Sequence, residues 1–118
     1  MHERSIAVNL LNIVLAKLNA LNIKNKIKLI RIVIGDFSMI HEELLVTAFY
    51  HLSKSTLAEG ALIEIIHSPL TGKCQGCQKE FSLNKEAFIC PYCTGNSIQI
   101  VSGEELFVQD IELSNYLC

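Results

Sequence analysis

The chain has no tryptophan, and only three Tyr and five Phe among its 118 residues. A platform on which nucleic-acid bases stack needs more rings than that. It also lacks an excess of either charge. Ten Lys and Arg face twelve Asp and Glu, for a formal net charge of -2. Nothing in that balance draws a phosphate backbone to the chain as a whole. No apolar run is long enough to span a bilayer. The opening MHERS has no basic region leading into a cleavable apolar stretch. The helix-like residues that follow are interrupted by Asn9, Asn12, Lys17 and Asn19. Export is therefore not expected, and a cytoplasmic location is. Thiols stay reduced there, so the five cysteines call for a role other than disulfides.

What the chain does have is apolar material. Half its residues are hydrophobic, enough for a real core and too many for a disordered chain. Residues 4–21 read as a helix, with Ala7, Leu11, Val14, Leu18 and Leu21 recurring on one face. Residues 26–34, KIKLIRIVI, read as a strand. Ile30, Ile32 and Ile34 share one face and Leu29 and Val33 the other. Two apolar faces predict a central position in a sheet. Residues 41–57 read as a second helix, with Leu44, Leu45, Ala48, Phe49 and Leu52 as its buried stripe. Further strands are expected at 61–67 and 105–113.

Between about Thr71 and Ser102 the texture changes to turn and polar residues. The architecture expected is α+β. Two helices lie on a small mixed three-stranded sheet, interrupted by an inserted zinc-ribbon-like module. Residues 1–70 and 103–118 would form the main domain and residues 71–102 the module.

That module holds two CxxC units, Cys74-Gln75-Gly76-Cys77 and Cys90-Pro91-Tyr92-Cys93, twelve residues apart. A CxxC turn lets two thiolates reach one ion, and two such turns complete a tetrahedron. Cys74, Cys77, Cys90 and Cys93 are therefore expected to bind a structural Zn²⁺. Gly76 is expected to relieve the first turn, and Phe81, Phe88 and Ile89 to supply a small apolar floor. Two separate redox pairs are disfavoured, because neither CxxC sits at the strand-to-helix junction such pairs favour. Cys118 is left over and reads as a terminal thiol.

The amino terminus offers a different donor set. His2 is too large for efficient removal of the initiator Met1. An amine, the His2 backbone nitrogen and an imidazole then lie in one short segment and can close adjacent chelate rings. Such nitrogen-rich, roughly planar coordination favours Ni(II) or Cu(II). Glu3 could add an oxygen, a backbone nitrogen or a hydrogen bond. On residues alone this is a weak signal. His41, near the start of the second helix, is a candidate extra ligand if the two helices start on the same side. His51 and His67 read as packing or surface residues.

Several pieces together resemble the HypA/HybF family. They are the opening MHERS, the strand ending in IGD and the segment TLAEGALIEI at 56–65. The two CxxC units, the second of them CPYC, and GEELFVQDIE at 103–112 complete the set. The resemblance implies a nickel metallochaperone, not an enzyme. Ni²⁺ would be carried at Met1, His2 and Glu3, with zinc at the four paired cysteines. It implies delivery to the large subunit of nickel-iron hydrogenase, together with the GTPase HypB. A homodimer is one arrangement the sequence allows. The rival classes are a zinc-ribbon nucleic-acid binder and a structural adaptor. Lys73, Lys79 and Lys85 alternate with Glu80 and Glu86 in the module, a mixed surface that argues against the first. His41-Glu42-Glu43 resembles the HxE of a zinc deaminase, but that class is disfavoured: Pro91 lies inside its CxxC and not before it, and Cys74 and Cys77 would have no role.

Overall fold

The computed structural model describes residues 3–84 and 86–117. The chain is α+β, with the order α1 (Glu3–Ala20), β1 (Asn25–Gly35), α2 (Glu42–Leu52), β2 (Leu62–Ser68), β3 (Thr71–Cys74), β4 (Glu80–Ser82), β5 (Ile98–Ser102) and β6 (Leu106–Leu117). Two three-stranded sheets form, ordered β2-β1-β6 and β4-β3-β5. By compactness the chain divides into two units. One is Met1–Ile32, Ile40–Ile65 and Phe107–Cys118; the other is Val33–Met39 and Ile66–Leu106.

In the first unit α1 and α2 pack against each other. The α1 stripe is Ala7, Leu10, Leu11, Val14 and Leu18, all buried. Ile27, Ile30 and Ile32 of β1 join Leu45, Phe49 and Ala58 in the same core. β1 is the middle strand, as its two apolar faces predict. On its more exposed side Arg31 bonds Glu64 of β2 at 2.9 Å, Asp110 of β6 at 3.0 Å, and Glu112 of β6. One guanidinium thus links three strands. Exposed pairs of this kind add little stability.

Three local expectations are corrected. Leu21 lies past the end of α1 and is exposed, and Leu44 is exposed in the first turn of α2. The second helix stops at Leu52, well before residue 57. There the Ser53 hydroxyl donates to the Tyr50 carbonyl and the Thr56 hydroxyl to the Ser53 carbonyl. These hydroxyls satisfy carbonyls that a continuing helix would use. Ser55 then takes a left-handed conformation, with φ of 65°.

The second unit is built on β3, which pairs antiparallel with both β4 and β5. Gly72 faces Phe81 on one side and Ile100 on the other. Its buried apolar residues beyond the cysteines are few: Val33, Ile34, Leu70 and Leu83. The Phe88 ring meets Phe37 at a tilt, 5.8 Å between centroids, whereas Ile89 is exposed, so the expected floor is only partly formed by the residues named for it. Leu70 and Leu83 do more of that work. Gly35 passes so close to Gly103 that a Cβ there would sit 2.1 Å from its carbonyl, which only glycine allows. Glu105 fastens the same turn, accepting from Gly103 N–H at 2.7 Å and from the Ser68 hydroxyl at 2.9 Å. Hydrogen bonds from its own backbone N–H and that of Gly103 hold its carboxyl below the ordinary range.

Among the described residues, no helix is long and apolar enough to cross a membrane.

Candidate metal centre

The four paired cysteines converge in the second unit. Their sulfurs all lie within 4.8 Å of one another. Cys74 Sγ is 3.5 Å from Cys93 Sγ, and Cys77 Sγ is 3.6 Å from Cys90 Sγ. A tetrahedral ion with bonds of about 2.3 Å holds its sulfurs about 3.8 Å apart, so the donor set fits a metal ion. No disulfide joins them. Cys74 and Cys90, the first cysteine of each pair, are buried, and Cys93 is exposed.

Both CxxC turns close in the same way. Gln78 N–H donates to the Cys74 carbonyl at 2.8 Å, and Thr94 N–H to the Cys90 carbonyl at 2.9 Å. The closing residue is left-handed in each, with φ of 66° at Gln78 and 59° at Thr94. The turn therefore draws its unusual backbone from the residue after the second cysteine, not from Gly76. A Cβ on Gly76 would meet Cys74 Sγ at an ordinary 3.6 Å. Gly95 is the tighter position: Cys90 N–H donates to its carbonyl at 2.8 Å, and a Cβ there would press Cys93 Sγ at 3.3 Å. Sequence reasoning missed Gln78, Thr94 and Gly95. The Thr-Gly directly after CPYC was the available signal.

The turns also aim backbone N–H groups at sulfur. Those of Cys77 and then Gly76 favour the Cys74 thiolate, and with the neighbouring thiols they outweigh burial to bring it down to about 7. Tyr92 N–H lies 3.4 Å from Cys90 Sγ. Burial is the largest influence on Cys90 and opposes ionisation, yet the Cys93 and Tyr92 N–H groups leave it below the ordinary thiol range. Gly95 N–H favours the Cys93 thiolate, but Cys74, Cys90 and burial together push it up to about 11. Four thiols this close cannot all ionise unaided, because each new negative charge repels the rest. A bound dication removes that conflict.

Met1 and His2 lie outside the described residues, as does Cys118. Glu3 is described, and it is buried at the start of α1. Its Oε2 accepts the His41 backbone N–H at 3.0 Å. That bond is the largest cause of the lowered Glu3 pKa. The helices therefore do start side by side, which brings His41 next to Glu3. The His41 side chain is exposed, and its Nδ1 accepts Leu44 N–H at 3.3 Å as the cap of α2. His51 meets the Tyr50 ring edge-on at 5.4 Å. His67 Nδ1 sits 3.5 Å from Asp36 Oδ1. Among the described residues, the cysteine cluster is the one group of three or more His, Cys, Asp or Glu arranged to hold a metal.

A small α+β protein with four clustered thiols belongs to a metal-binding class. Comparison with known proteins narrows it. Residues 1–113 match the family model described as HypA, hydrogenase/urease nickel incorporation, metallochaperone. A hydrogenase maturation factor HypA from Dehalococcoides mccartyi is 34% identical over 115 residues, covering 98% of this chain and 96% of that protein. The same-named protein of Trichodesmium erythraeum is 34% identical over 114 residues, with 96% of each chain covered. The solution structure of the nickel metallochaperone HypA from Helicobacter pylori superposes with a TM-score of 0.68 at 24% identity, covering 96% of this chain and 97% of that one. A second HypA solution structure reaches 0.73 at 24% identity, with 98% of each chain covered. The chain belongs to the HypA family of hydrogenase-maturation nickel metallochaperones.

Proposed function

We propose that this protein carries Ni²⁺ at its amino terminus and passes it to the large subunit of nickel-iron hydrogenase, while Zn²⁺ at Cys74, Cys77, Cys90 and Cys93 holds its second unit together. The family membership carries the nickel role. The sulfur spacings support a metal at the cysteines. Four thiolates favour zinc, and a closed shell leaves that ion no open position for a substrate. Its chemistry is therefore structural.

Nickel is the cargo. Its donors are the Met1 amine and the His2 backbone and imidazole nitrogens, with Glu3 beside them and His41 as a further candidate. Three nitrogens would leave one position of a four-coordinate ion open to an acceptor, so transfer would proceed by ligand exchange. No covalent bond in a substrate changes, and the protein is not an enzyme. It works in the cytoplasm, with HypB as its GTPase partner. The first compact unit is the nickel-carrying part, and the zinc-stapled segment, residues 71–102, lies within the second. The supply of both metals to the purified, native chain, followed by native mass spectrometry, tests this. One zinc should survive dialysis against a weak chelator, and one nickel should bind beside it and exchange. Nickel that enters only by displacing zinc would contradict the two-site reading.

A further inference from the structure

We infer that the Glu3 carboxylate is a positioning residue for the nickel-binding segment and not one of its metal ligands, an inference that rests on the nickel site proposed above. Glu3 directly follows His2, and one oxygen of its carboxylate is already engaged. Its Oε2 accepts the backbone N–H of His41, 38 residues further along the chain. Among the described residues it is the one charged residue that is buried.

The reason lies in how α2 begins. His41 is its N-cap, and the His41 side chain accepts Leu44 N–H. In a capping box, Glu or Gln three residues into the helix would return the favour to the cap's own N–H. That position is Leu44, which has no acceptor to offer. Glu3 fills the role from the start of a different helix. If its Oε2 turned to a metal, the cap's N–H would lose that acceptor and the α1–α2 tie would open. While it holds, α1 starts from a fixed point. Anchoring a chelating segment raises affinity because less freedom is lost on binding.

The test uses zinc-loaded, full-length protein with a native amino terminus, as wild type, Glu3→Ala and Glu3→Gln. Three readouts are taken: nickel affinity by competition, the nickel ligand-field spectrum, and hydrogen exchange at His41 N–H without nickel. Glu3→Ala should weaken nickel about tenfold or more, in the range typical of lost outer-shell partners. It should also speed His41 exchange and leave the spectrum of bound nickel unchanged. Glu3→Gln should restore affinity and protection, because its amide oxygen accepts the same bond. A Gln variant that protects His41 yet binds nickel as poorly as the Ala variant, with a shifted spectrum, would make the carboxylate a ligand and overturn the inference. Unchanged nickel affinity in Glu3→Ala would overturn it as well. If wild type itself takes up no nickel, the parent reading falls and the inference with it. The His41 exchange would then show separately whether the clamp exists.

Discussion

His2→Ala loses stoichiometric nickel binding while retaining zinc and fold. The imidazole is the one donor of the three proposed that a side-chain substitution can delete, and its loss breaks a chelate ring. Loss of an outer-shell partner typically costs about 10–100-fold in metal affinity. Loss of a donor itself should exceed that range. Zinc is untouched in this account because its four donors are sulfurs in a separate compact unit. The nitrogen donors bind the ion only when deprotonated, so wild-type affinity should fall as pH drops. Nickel titration of both proteins, with zinc content and circular dichroism measured beside it, checks the outcome. An unchanged titration in His2→Ala would contradict the site.

Cys74→Ala releases zinc and disorders the segment 71–102. Cys74 ends β3, lies opposite Ile98 of β5, and is buried. Among the described residues, the unit around it has four other buried apolar residues apart from Cys90, so its core is thin without the ion. Structural zinc contributes about 10–16 kcal/mol in small zinc-dependent peptides, comparable to the whole stability of an ordinary domain. Three remaining thiols and a water do not replace that. The first unit should survive, since Leu18, Ile30, Ile32, Leu45 and Phe49 form an independent core. Colorimetric zinc release and hydrogen exchange along the chain report both effects. Retention of a full zinc equivalent, or unchanged protection over 71–102, would refute the four-thiolate centre.

The parts of the fold legible in the sequence are those where one periodicity dominates. Most of the α1 stripe (Ala7, Leu11, Val14 and Leu18, but not Leu21) and the doubly apolar β1 could be read directly, because tertiary packing agrees with the local pattern. The end of α2 could not, since apolar spacing continues to Leu57 while the Ser53 and Thr56 hydroxyls stop the helix. Strands β3, β4 and β5 are short, polar and held by pairing around the cysteines, so they carry little signal of their own. At the metal centre the ligand types and spacing were legible. The left-handed residues that close each turn were not, because Gln78 and Thr94 are not the residues that usually mark positive φ. The Glu3–His41 bond spans two helices and is invisible to any local pattern.

The central claim is that the two metals part by donor type, sulfur for one and amino-terminal nitrogen for the other. A single glycine added ahead of Met1 tests it most directly. The extension moves the amine out of the proposed chelate but keeps every side chain. Nickel and zinc are then titrated into the extended and native proteins at neutral pH. The account predicts that the extended protein keeps one tightly held zinc and loses tight nickel binding. Nickel bound equally well by both proteins would contradict it.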